Sequence, residues 1–243
     1  MPPDLSRRSL LGGAAAAPLL SYASAQVPPG PPPLPGAAPD QIAWQFFTLP
    51  EATLVTAAVD RLIPPDEVFT GAVGAGVPIY IDRQLATDYG AGRRLYRHPP
   101  FHEGTAEQGY QLPYTPAALY RIGLAAFAEW VRAAYGTRFE ELAPATMDEA
   151  LSRVESGEAD FGEVPAPVFF ETLLANTVEG FFSDPIHGGN RDMVGWRMVG
   201  FPGAYAGYTE LVGRHNLPFT RPPRSIAQAL SDHAHNPAPH AHR

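Results

Sequence analysis

Cysteine and lysine are both missing from this sequence of 243 residues. Without cysteine the chain forms no disulfide, holds no cysteine-ligated iron–sulfur cluster and cannot attach a c-type haem, which needs a Cys-x-x-Cys-His run. The redox chemistry of those groups is excluded from this chain. The 17 basic residues are all arginine and stand against 25 acidic ones, a formal net charge of −8. An acidic chain with no basic cluster repels nucleic acid. The lack of lysine reads as a genomic composition bias. Long hydrophobic runs are scarce too. The most apolar stretch near the N-terminus, residues 10–20, is about 11 residues long and broken by Gly12, Gly13 and Pro18. That is too short for the roughly 30 Å of hydrocarbon a spanning helix must cross. No segment keeps the alternation of a strand, so the sequence predicts an all-α fold.

What is present begins with Arg7 and Arg8. They precede the apolar stretch, which leads into Ala23-Ser24-Ala25 before Gln26. A charged n-region, an apolar h-region and a small-x-small site in that order are the parts of a cleaved signal peptide. The paired arginines resemble the twin-arginine export signal, a route for cargo already folded. Cleavage after Ala25 leaves a chain that opens on a proline-rich spacer, residues 26–41, whose composition favours extended polyproline II. An irregular helical domain with long loops is expected over residues 42–225.

Helices are marked by their ends. Thr48 and Glu51 have capping-box spacing, with Pro50 in the first turn, and Leu54, Val55, Ala58, Val59 and Leu62 keep a helical period up to Pro64-Pro65. A second helix is predicted over residues 77–88. Thr115-Pro116 starts the longest one, which carries an apolar stripe to Gly136. Thr146 and Glu149, again at capping-box spacing, predict a short helix to about Ser156. Residues 168–182 are apolar on most faces and read as the central buried helix. Pro202 is expected to open a last helix to about His215. Residues 226–243, with His233, His235, His240 and His242, read as an unstructured tail; a histidine-rich tract can also bind metal.

Two segments resist this scheme. Residues 91–114 hold Arg93, Arg94, Arg97, His98 and His102 with little periodicity, and an irregular stretch of that length is usually functional or laid over a partner. The second segment is Ser183-Asp184-Pro185-Ile186-His187-Gly188-Gly189-Asn190-Arg191-Asp192-Met193-Val194-Gly195-Trp196, continuing to Gly200-Phe201-Pro202-Gly203. Asp184, His187 and Asp192 offer a metal or catalytic constellation, without the spacing of known motifs. A phosphate cradle would need a Gly-x-Gly-x-x-Gly or Gly-Lys-Ser/Thr pattern, which is absent. The remaining reading is a self-bonded polar turn over Trp196 that doubles as a contact surface.

On that run, and on Leu62-Ile63-Pro64-Pro65-Asp66, Gly76-Val77-Pro78-Ile79-Tyr80-Ile81-Asp82 and Phe139-Glu140-Glu141-Leu142, the chain resembles the gluconate 2-dehydrogenase subunit 3 family. These are small subunits of membrane-bound flavin dehydrogenases, and the likeness covers about residues 44–220. It implies a complex in which a large subunit carries FAD and oxidises a sugar or sugar acid, and a cytochrome c subunit passes electrons on. The small subunit holds no cofactor, supplies the export signal and supports maturation of the flavin subunit. The expected location is the periplasm, with membrane association only through partners. His187, Gly188, Gly189, Asn190, Arg191, Asp192 and Trp196, with Arg93, Arg94 and Arg97, are the expected partner interface; no residue is expected to be catalytic or to bind metal. The competing readings are a self-standing exported enzyme, or a periplasmic binding module, using Asp184, His187 and Asp192.

Overall fold

Proline sits in the first turn of five helices in this structure, a computed structural model that describes residues 42–93, 95, 98–102, 104–105, 110–205, 211–216 and 219–235. At that position proline forfeits no hydrogen bond, and its fixed φ already suits the helix. The export signal with Arg7, Arg8 and Ala25, the spacer, Arg94, Arg97, His240 and His242 lie outside the described residues. Helix α1 is Leu49–Leu62, and the Thr48 N–H donates to Glu51 Oε2 at 2.8 Å, one half of the expected capping box. Helix α2, Val77–Leu85, stops short of the expected Asp88, because the chain winds into turns whose Thr87 and Gly90 N–H groups both donate to Gln84 O. Helix α3, Pro116–Tyr135, matches its prediction at both ends: Thr115 Oγ1 accepts from the Ala118 N–H at 3.1 Å, and Gly136 closes it at φ 76°.

Helix α4 is Pro144–Glu155 and begins before the predicted Thr146 cap. Pro144 takes the first position, and the Ala143 carbonyl already accepts from the Thr146 and Met147 N–H groups at 2.9 Å. Helix α5, Ala166–Phe182, is the centre of the molecule and touches α1, α2, α3 and α4. Its Phe169, Phe170, Leu173 and Phe181 are buried. The Phe169 ring meets Tyr120 at 6.0 Å and Phe127 at 6.3 Å. Burying side chains of this size stabilises the fold by about 1.5–3 kcal/mol each.

The segment before α1 is clasped onto this core. Asp82 of α2 is buried, and its carboxylate accepts three backbone N–H groups: Gln45 at 2.8 Å, Phe46 at 2.9 Å and Phe47 at 2.8 Å. On the other side Arg121 of α3 lies over the Phe46 ring, 3.9 Å from its centroid, and donates to the Phe46 carbonyl and to Glu51. Burial works against the Glu51 charge, but the bonds from Arg121 and Thr48 outweigh it and hold that carboxyl below its usual value.

Past α5 the structure departs from the sequence expectation twice. Helix α6 is the short Val194–Val199, and residues 202–205 are not helical: Gly203 pairs with Arg224, the Arg224 N–H donating to Pro202 O at 3.0 Å and the Ala204 N–H to Arg224 O at 2.7 Å. Gly203 sits at φ 79°, and a Cβ there would meet Arg224 O at 2.2 Å. Proline at 202 opens an extended contact here, and the rest of the expected helix, residues 206–210, lies outside the described residues. The second departure is helix α7, Ile226–His235, inside the stretch expected to be unstructured. Ser225 and Gln228 cap it reciprocally, at 2.9 and 3.3 Å. Among the described residues no strand occurs, and no helix is long and apolar enough to cross a membrane.

Candidate functional site

The loop that follows α5 is built from backbone locks. Both Asp184 carboxylate oxygens are occupied: Oδ1 accepts from the Ile186 N–H at 3.0 Å, and Oδ2 from the Ile226 N–H at 2.8 Å. Asp184 therefore caps the 3-10 turn Pro185–His187 and the start of α7 together. The Asp184 carboxylate is thus engaged by the backbone, and among the described residues no three His, Asp or Glu side chains are grouped to hold a metal. His187 and Asp192 point outward.

Gly189 is buried where a Cβ would lie 2.2 Å from Gly180 O, and at Gly195 a Cβ would lie 2.3 Å from Phe181 O. Only glycine lets the loop press this closely on the last turn of α5. Asn190 is fully buried; its Nδ2 donates to Ser183 O at 2.8 Å and its Oδ1 accepts from the Gly195 N–H at 2.8 Å. The Arg191 N–H donates to Ala75 O at 2.9 Å, which joins the loop to the residues leading into α2. To make these contacts Asn190, Asp192 and Met193 take φ of 45°, 56° and 56°. The left-handed region costs about 1–2 kcal/mol for an ordinary L residue, with Asn and Asp the most tolerant. Trp196 is buried under the loop, and its Nε1–H donates to Phe182 O at 2.7 Å.

The expected interface residues thus divide by burial. Gly189, Asn190 and Trp196 are inside, so any surface role passes to their neighbours. His187 and Asp192 are exposed, and Gly188 and Arg191 are half-buried. Arg93 follows the far end of α2 from Arg191's contact and pairs with Asp88 at 3.2 Å. Around the glycine loop stands a surface the sequence reading missed. Ile186, Met198, Val199, Phe201 and Ile226 are large apolar side chains left exposed, Val199 by 59% and Phe201 by 48%. Arg191 and Arg197 flank these residues in the chain, the Arg83 guanidinium of α2 reaches the loop beside Gly188, and no described carboxylate pairs with any of the three. Grouped exposed apolar side chains rimmed by charge mark a contact surface.

A second feature lies between α3 and α5. Asn176 is buried; Tyr120 donates to its Oδ1 at 2.9 Å, and its Nδ2 donates to Tyr89 at 2.9 Å and to Glu179 at 3.1 Å. Burial and the Glu179 charge push the Tyr80 hydroxyl up to about 12 and raise those of Tyr89 and Tyr120 as well. This network forms one end of a cleft of about 860 Å³. Phe101, Tyr110 and Leu112 face it on one side, Leu119 and Val168 on the other. The sequence signal for it was Asn176, an amide on a largely apolar helix, three residues before Glu179.

Residues 50–203 match the protein family described as Gluconate 2-dehydrogenase subunit 3. No curated protein and no solved structure matches the chain significantly.

Proposed function

We propose the following role for this chain, which belongs to the gluconate 2-dehydrogenase subunit 3 family. It is the non-catalytic small subunit of an exported, flavin-dependent sugar or alcohol dehydrogenase. Its twin-arginine leader carries the flavin subunit across the membrane with it, and its folded domain steadies that subunit. In the periplasm the complex reaches the membrane through its other subunits, a cytochrome c subunit among them. FAD belongs to the large partner, and this chain supplies binding surface.

The observation that carries this reading is the glycine loop. Asp184 and Asn190 are spent on the chain's own backbone, while the outer face presents Val199, Phe201 and Ile186 beside arginines that make no ion pair among the described residues. Such an arrangement is a rigid docking platform.

Tagged chain, expressed with its flavin subunit, provides the test. Wild-type chain should bring down the flavin subunit, while Val199→Asp and Phe201→Asp, both at exposed positions, should fold normally and lose it. Retention of the partner by both variants removes this face from the interface. For export, Arg7→Lys with Arg8→Lys keeps the charge and should hold both subunits in the cytoplasm. A normal periplasmic level of flavin subunit in that variant rules out shared export.

A further inference from the structure

The cleft between α3, α5 and the segment ahead of α3 is not part of the glycine-loop face. Its walls are aliphatic and aromatic, with Phe101, Tyr110, Leu119 and Val168 among them. Its volume, about 860 Å³, falls in the range of sites that enclose a small ligand or a few side chains. The described lining holds two carboxylates, Glu171 and Glu179, one histidine, His102, and no arginine. Both carboxylates are exposed on the outer face of α5, with Ala175 between them. Glu179 accepts one bond from Asn176, Glu171 has no described partner, and neither makes a described ion pair. On a plain solvated helix face two such glutamates would mean nothing. Here they border an apolar hollow whose aromatic faces are themselves attractive to cations.

We propose that this cleft receives an apolar segment of a partner protein bearing one arginine or lysine, the apolar side chains between Phe101, Tyr110 and Val168 and the cation against Glu171 and Glu179. This rests on the reading of the chain as a subunit, and it adds a second contact that selects for a basic partner segment. Complementary charge at the rim of an apolar pocket sets register and speeds encounter more than it adds raw affinity. The cleft therefore favours one orientation of the segment.

The probe is a leucine pentapeptide with a central arginine, compared with its citrulline counterpart, which has nearly the same shape and no charge. Each is titrated into the full-length chain and followed by calorimetry. The arginine peptide should bind more tightly by up to about fivefold, the most that one exposed ion pair supplies. Glu171→Gln with Glu179→Gln should erase the ratio, and Ala175→Trp, which fills the cleft, should abolish binding of both peptides. Equal affinity for the two peptides overturns the proposal, as does binding that survives Ala175→Trp, or no binding at all. Melting curves establish that the variants are folded; Glu171→Gln alone disturbs no described contact and serves if the double variant is not. The complex separates this idea from the one beneath it. If the wild-type chain brings down no flavin subunit, the subunit reading fails whatever the peptides do. If the flavin subunit comes down equally with wild type and Ala175→Trp, the cleft proposal fails and the subunit reading stands.

Discussion

Gly189 and Gly200 separate two reasons for glycine in the same loop. At Gly189 an added methyl meets a carbonyl oxygen of α5 at 2.2 Å, while Gly200, at φ 71°, has open space around the position. Gly189→Ala must move backbone, at a cost in or above the 1–3 kcal/mol of ordinary overpacking (about 2–4 °C of melting temperature per kcal/mol in a domain of this size). Gly200→Ala carries only the left-handed cost, about 1–2 kcal/mol. The expected order of melting temperatures is wild type, Gly200→Ala, Gly189→Ala; the reverse order of the two variants would mean that α5 and the loop do not press together. Trp196 gives a second comparison. Its replacement by Ala should cost about 3–5 kcal/mol as a core deletion. Trp196→Phe keeps a ring but leaves Phe182 O without its donor, for about 1–3 kcal/mol. An unchanged melt in Trp196→Ala would put the indole back on the surface.

At the scale of elements, the Asp82 clasp is the sharpest test. Asp82→Asn keeps the shape, yet its amide nitrogen cannot accept, so at least one of the three strap N–H groups loses its partner. Bonds to a charged acceptor contribute about 1.5–3 kcal/mol each. Hydrogen exchange should rise at residues 45–47 well before it rises in α5, and uniform protection would refute the clasp. The three tyrosines around Asn176 give a pH prediction. Tyrosine ionises near 10 when unfolded, and the fold holds Tyr80 neutral up to about 12. A raised pKa means stability fully present below pH 10 and lost as pH climbs toward 12. Melting temperature should fall across that window as phenolate absorbance appears, and Glu179→Gln should soften the fall.

These elements also mark how far the sequence was readable. Helix α3 was legible because both of its signals, Thr115-Pro116 and Gly136, act on the residues next to them. Helix α4 was misplaced by two competing local signals, Thr146 and Pro144, of which the proline's missing N–H won. The helix expected from Pro202 failed because Gly203 pairs with Arg224, and no local rule encodes a partner that far along the chain. Helix α7 was readable from Ser225 and Gln228, but its histidines, and the histidines and prolines that follow it in the sequence, drew attention to tail composition instead. The glycine loop announced itself by composition. Its division into an inward Asn190 and Trp196 and an outward Val199 and Phe201 depends on where α5 ends, which is a tertiary fact.

For the molecule as a whole, α2 is held at two points along its length. The glycine loop reaches its start through Arg191 and Ala75, and the strap holds its middle through Asp82. A docking partner on the loop therefore acts on the same helix that anchors the chain's N-terminal side. His187→Ala should lower the yield of assembled complex and leave the turnover of each assembled complex near wild type. Turnover down about a hundredfold at normal assembly would instead place acid–base chemistry on this chain.

The clasp has a mechanical consequence. Among the described residues, tension applied to the chain ahead of Gln45 meets residues 45–47 before it reaches any turn of α1. Three amide–carboxylate bonds and the Arg121 grip on Phe46 meet that load together. They fail by shearing as a set, whereas a helix peeled from its end yields one turn at a time. The domain is thereby sheltered from a pull on its own leading end, the direction from which an N-terminal leader would draw it through a pore.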